Sequence, residues 1–209
     1  MQDRMSPAER LGAVLMGQKP DRVPVNPFIL GFAAKVCNLP IGDLYADAKK
    51  SFRAQSLCAE IYGYDATPMY GYASYGAWEF GGKVGMPYEA GQSAPYVIKH
   101  PVETPEDVDK LEVPDPKNAG SNPISMGMGK LCYENRMPVV FQCGEILTTS
   151  AMVAEPSRIL SWMIRKPELV HKLHKKIAEY FVAVAEYFTS TFGADKCMAF
   201  TGGRSSLTS

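Results

Sequence analysis

Apolar residues recur three and four apart through the last quarter of the chain. Leu169, Val170, Leu173, Ile177, Phe181, Val184 and Phe188 form one stripe in PELVHKLHKKIAEYFVAVAEYFTSTFG. That period is helical, Pro167 suits a first turn, and Gly193 stops the run, so the pattern predicts one long helix. Two other segments lack the period. Met137 to Gly144 (MPVVFQCG) is a continuous apolar run ending in glycine, the signature of a strand buried on both faces, as in a parallel sheet. Cys197 to Phe200 is a shorter run of the same kind.

Earlier positions add further elements. Ser6-Pro7-Ala8-Glu9 is a helix start, with a capping serine, proline at the first helical position and glutamate at the third. That helix carries Leu11, Val14 and Leu15 and stops near Gly17. Val23 to Asn26 is a short strand between prolines, Asp43 to Tyr62 a helix closed by Gly63, and Asp65 to Tyr70 a second strand. Residues 71–101 are rich in glycine and aromatics and read as a long excursion, with short strands around Trp78–Val84 and Tyr96–Lys99. Thr104-Pro105 caps a short helix, Ile124 to Asn135 forms another, and TTSAMVA and PSRILSWMIRK form two more. Helices alternate with strands near 23, 66, 139 and 197, which predicts a parallel α/β fold in one domain over residues 1–209.

Composition narrows the partners. Lys plus Arg and Asp plus Glu number 22 each, with no basic cluster, so nucleic acid is not an expected partner. No apolar run approaches the ~18 residues of a membrane span, and no apolar leader follows Met1. Five irregularly spaced cysteines without a CxxC pair fit a reducing compartment, and the expected location is the cytoplasm.

With these elements in order, PVVFQCGEILTTSAMVAEPSRILSWMIRKPELVHKLHKKIAEY resembles the middle of the uroporphyrinogen decarboxylase superfamily. SPAERLGAVLMGQKPDRVPV is similar to its opening helix and first strand, and EFGGKVGMPYEAGQSAPYVIKHPVETPEDVDKLEVPDP to its glycine-rich insert. The resemblance implies a (β/α)8 TIM barrel. Such a barrel takes roughly 250 residues or more, and four strands are about half, so the N-terminal half is the expectation. Decarboxylases of the superfamily carry an Arg-Gln-Ala-Gly-Arg signature after the first strand and an aspartate ending the second. Here those places read VNPFILGFAAK and DATPMYGYASYGAW. The cobamide-dependent methyltransferase branch, including methylcobamide:coenzyme M enzymes, looks closer.

That branch implies an enzyme moving a methyl group between the cobamide of a corrinoid protein and a thiol acceptor or methyl donor. It also implies a zinc ion held by a His-x-Cys pair and a further Cys, expected beyond residue 209. A decarboxylase-like lyase, or an inactive half-barrel fragment that assembles with a copy of itself or with a separate second half, are the other readings.

Barrel active sites lie at the C-terminal ends of strands, which selects Asn26, Tyr70, Glu145, Thr201 and Arg204. Asn26 is a substrate hydrogen-bonder or a turn cap. Tyr70 lines a corrinoid face or fills the barrel top. Glu145, the catalytic candidate, is an acid, a metal ligand or an N-cap. Arg204 suits a sulfonate or carboxylate. No metal ligand is assigned: His171 and His174, three apart on the long helix, are expected to flank packing.

Overall fold

The structure, a computed structural model, describes residues 4–201. Helix α1 (Pro7–Leu15) starts as expected: the Ser6 side chain accepts from the Glu9 amide and Glu9 reaches back to the Ser6 amide. Its buried side is not the expected apolar one. Val14 and Leu15 are exposed, whereas Arg10 is fully buried and pairs with Asp21 and Asp65.

Helix α2 (Leu30–Val36) is one the sequence pattern did not show, and the helix expected from Asp43 to Tyr62 is broken at Asp47, its first part forming α3 (Ile41–Ala46). Neither α2 nor α3 has a side-chain cap. Helix α4 (Ala48–Tyr62) is capped by Asp47 and ends at Gly63 in the left-handed conformation that glycine tolerates.

The first two expected strands are not ladder strands. Residues 23–29 and 64–72 carry no regular assignment. They are joined through Asp65, whose amide donates to the Val25 carbonyl and whose carboxylate accepts from the Val25 amide, both at 2.8 Å. The Gln55 carboxamide, from α4, makes the same two bonds to Met69, accepting its amide (3.1 Å) and donating to its carbonyl (3.0 Å). Side chains thus replace the ladder here, and the prolines at 24, 27 and 68 explain why: each removes a donor.

In the excursion, the expected strand at 78–84 shrinks to β1 (Lys83–Gly85), because residues 73–81 form successive turns. β1 pairs antiparallel with β2 (Tyr96–Lys99). Helices α5 (Pro105–Lys110) and α6 (Asn122–Glu134) lead to β3 (Val139–Gln142). Helices α7 (Ile146–Ala154), α8 (Pro156–Arg165) and the long α9 (Pro167–Phe192) return the chain to β4 (Cys197–Phe200). β3 and β4 are parallel, with Val139 opposite Cys197 and Gln142 opposite Phe200.

Alternation decides which face of this pair is covered. Val139 and Phe141 are buried, and the Phe141 ring stacks on Phe188 of α9 at 4.6 Å. The expected α9 stripe is the one that packs: Val170, Leu173, Ile177, Phe181, Val184 and Phe188 are all buried. Cys143 and Cys197, expected to be buried, are half-buried. No helix of the described residues is long and apolar enough to cross a membrane.

Candidate functional site at the strand ends

The chemistry-bearing residues gather where β3 and β4 end. The Cys143 amide donates to the Phe200 carbonyl at 2.9 Å, extending the pairing by one step. Gly144 then turns at φ 113°, and a Cβ there would come within 2.5 Å of the Thr201 hydroxyl oxygen. Only glycine lets Thr201 sit that close. Glu145 follows at φ 65°, ψ 57°, left-handed and not glycine. Its carbonyl accepts the Thr149 amide and so starts α7, but its side chain makes no capping bond. The capping role expected as one alternative is therefore filled by its backbone alone. A strained non-glycine residue held at a strand end is a pointer to a site.

The ring of Phe28 stacks on Phe200 (6.3 Å, 9° between planes), bringing the first extended segment to this end. Asn26 lies exposed, two residues nearer the base, next to the Val25–Asp65 pairing. Thr201 is exposed beside Gly144. Arg204 lies outside the described residues. The structure thus sets Thr201 against Gly144, the residue before Glu145, and Asn26 two residues before the Phe28 ring that stacks on Phe200.

Tyr70 is placed in the core rather than on an open face. It is 1 % exposed, and its hydroxyl donates to the Tyr45 carbonyl at 2.9 Å. Burial, reinforced by the Glu79 charge, pushes its hydroxyl far above the usual tyrosine range. The Tyr45 hydroxyl is pushed up to about 12 by burial. Tyr70 belongs to an aromatic chain with Tyr45, Tyr72 and Tyr75, with ring centroids 5.8–6.4 Å apart. The glycine–aromatic cluster is packing.

At the centre of that chain is a residue that sequence reasoning did not single out. Glu79 is 3 % exposed. Its carboxylate accepts from the Tyr72 hydroxyl (2.8 and 3.0 Å), the Gly76 amide (2.7 Å), and the Ser121 amide (3.1 Å) and hydroxyl (2.7 Å). Buried charge is tolerated where donors surround it, and Ser121 adds the positive end of α6. An acid set among aromatics, Trp78-Glu79-Phe80, was the available signal. Alongside, Asn122 donates to the Tyr180 hydroxyl (2.8 Å) and accepts from Tyr75 (3.1 Å).

The opposite end of the strands is tied by ion pairs. Arg10 holds Asp21 at 2.6 Å and contacts Asp65, which Arg22 also holds. The Arg10 guanidinium, more than offsetting the cost of desolvation, keeps the Asp21 carboxyl well below the usual carboxylate range. Two cavities, of about 730 and 370 Å³, lie at this end and share Ala8, Arg136, Met137 and Pro138. Neither touches the strand-end residues.

His174 is half-buried and its Nε2 lies 3.2 Å from the Ser150 hydroxyl, while His171 is exposed. Among the described residues no three His, Cys, Asp or Glu side chains converge as a metal requires. These residues do not fit a zinc site, and no chemical step is assigned to a metal here.

The family model for uroporphyrinogen decarboxylase (URO-D) matches residues 6–209. Among solved structures, a methyltransferase from Methanosarcina mazei superposes with a TM-score of 0.73 over 90 % of this chain, at 19 % sequence identity. The chain spans 56 % of that protein's chain. A search of curated proteins found no match. At 19 % identity the likeness establishes the fold, and the family's fold is the TIM barrel expected from the sequence. Among the described residues the ladders are the antiparallel β1–β2 pair and the parallel β3–β4 pair.

Proposed function

The chain belongs to the uroporphyrinogen decarboxylase family, and from that premise we propose that it serves a methyltransferase of the cobamide-dependent branch. It moves a methyl group between the cobalt of a corrinoid protein and a thiol acceptor or methyl donor. The observation that carries the reading is the uncharged mouth of the first two segments. Decarboxylating a tetrapyrrole with many carboxylates calls for guanidinium forks. Here Arg10 and Arg22 bind Asp21 and Asp65 at the base, and Arg158 holds the carbonyls of Val102 and Ala154. Tyr70, where an acid would face the ring nitrogens, is neutral and buried. The fold likeness to a methyltransferase agrees with this choice.

The cobamide, brought by the partner, supplies the nucleophile or leaving group for the methyl. The residues of this chain bind and orient. Glu145 is the acid at the strand end, Thr201 and Asn26 offer hydrogen bonds to the substrate, and Arg204 is a site for a sulfonate or carboxylate. Zinc, with ligands outside the described residues, belongs to the same proposal.

The test mixes the full-length protein, zinc in the buffer, methylcobalamin and 2-mercaptoethanesulfonate. Loss of the methylcobalamin spectrum together with an S-methylated product by mass spectrometry is expected. Carbon dioxide release from uroporphyrinogen, with no S-methylated product, would overturn the reading.

A further inference from the structure

One side chain joins the mouth ends of three barrel segments. The Gln142 carboxamide accepts from the Tyr72 amide at 3.0 Å and donates to the Tyr72 carbonyl at 3.2 Å, the two bonds an adjacent strand would make. The backbone of the same residue stands opposite Phe200 in the β3–β4 ladder. Gly71 makes room for it, since a Cβ there would come within 2.9 Å of Gln142 Oε1. Tyr72 is fixed from its other end by Glu79 and, through Ser121, by the start of α6. Three residues beyond Gln142 stands the left-handed Glu145, a conformation that persists only where the surroundings over-determine it.

We propose that Gln142 is a positioning residue for the strand-end site: its carboxamide locks β3 to the 64–72 segment and so holds the Gly144–Glu145 turn. The inference rests on the reading of Glu145 as a site residue. The lock needs one donor and one acceptor side by side. Leucine supplies neither. A glutamate at this place supplies the donor only while protonated; once ionised, it sets an oxygen against the Tyr72 carbonyl. The lock in Q142E therefore forms at acid pH and opens as the introduced carboxyl loses its proton, a midpoint that the facing carbonyl raises. Misplacement of a reacting group by about 1 Å can cost on the order of 100-fold in rate.

The experiment follows wild type, Q142L and Q142E by NMR from acid to alkaline pH, with methyl transfer measured in parallel. In Q142E, exchange protection of the Tyr72 amide, corrected for its intrinsic pH dependence, falls roughly tenfold or more as pH rises. The Cα and Cβ shifts of Glu145 move with the same midpoint, and kcat falls in step while KM holds. Wild type shows no such transition. A Tyr72 transition with Glu145 unmoved would overturn the proposal, as would wild-type behaviour of Q142E at every pH. Q142E at acid pH serves as the folded control where Q142L fails to fold. If wild type transfers no methyl group, the functional reading falls, and the coupled shifts still decide whether the lock exists.

Discussion

Replacing Glu79 by glutamine exchanges one oxygen for an NH₂ group inside a site whose surrounding groups all donate to the carboxylate. Oε2 faces the Gly76 amide at 2.7 Å, and Oε1 faces the Ser121 amide at 3.1 Å. Both are backbone N–H groups and cannot turn away. Whichever end the NH₂ takes, it meets one of them, and two donors are left facing each other out of water. A buried donor without an acceptor costs about 1–3 kcal/mol, and hydrogen bonds to a charged group are worth about 1.5–3 kcal/mol. The sum, allowing for relaxation, is about 2–4 kcal/mol. For a chain of this size that is roughly 5–15 °C in Tm. S121A removes one hydroxyl bond to that charged carboxylate and leaves the Ser121 amide in place, so it costs about 1.5–3 kcal/mol. Because both changes act on one carboxylate, the double variant is expected to lose less than the sum. Thermal unfolding followed by circular dichroism, checked by urea midpoints, measures all three. An E79Q protein melting within about 2 °C of wild type would refute the claim that this carboxylate organises the core.

Acid lowers stability in two stages. Burial, with the charge of His171 adding to it, lowers the His174 pKa below 6.5, so the unfolded chain binds that proton more readily; this stability is whole above pH 6.5 and is lost as pH falls through the folded value. The depressed carboxyls of Asp21 and Asp65 contribute stability that is whole above pH 3.8 and is lost as pH falls further. Urea midpoints from pH 8 to 3 should show both stages, and H174Q should erase only the upper one. Gly76→Ala should be as damaging as E79Q, about 2–4 kcal/mol. Its φ is 110°, and the new Cβ would come within 2.5 Å of Thr149 Cγ2; a near-wild-type melt would show that the 73–81 turns can shift.

What the sequence determined by itself was local in origin. The Ser6–Glu9 box, the α9 stripe and the apolar run of β3 each act over a few residues, so composition and period suffice to read them. The alternation of helix and strand pointed to a parallel α/β fold, of which the β3–β4 pair is the parallel ladder seen, and the strand-end rule selected Glu145 and Thr201 as candidates. What only the tertiary structure decided was how distant groups are satisfied. Val23–Asn26 and Asp65–Tyr70 look like strands by pattern, but prolines break their ladders, and Gln55, Gln142 and Asp65 take over backbone bonds in these segments. Arg10 was not singled out on its helix, and Asp21 and Asp65, 11 and 55 residues away, draw it inside. Glu79 is an isolated acid in sequence; Ser121, 42 residues on, turns it into the centre of the core. Period and propensity report which face a residue prefers. They carry no information on which remote donor will meet a buried acceptor, because that depends on where the whole chain brings its segments together.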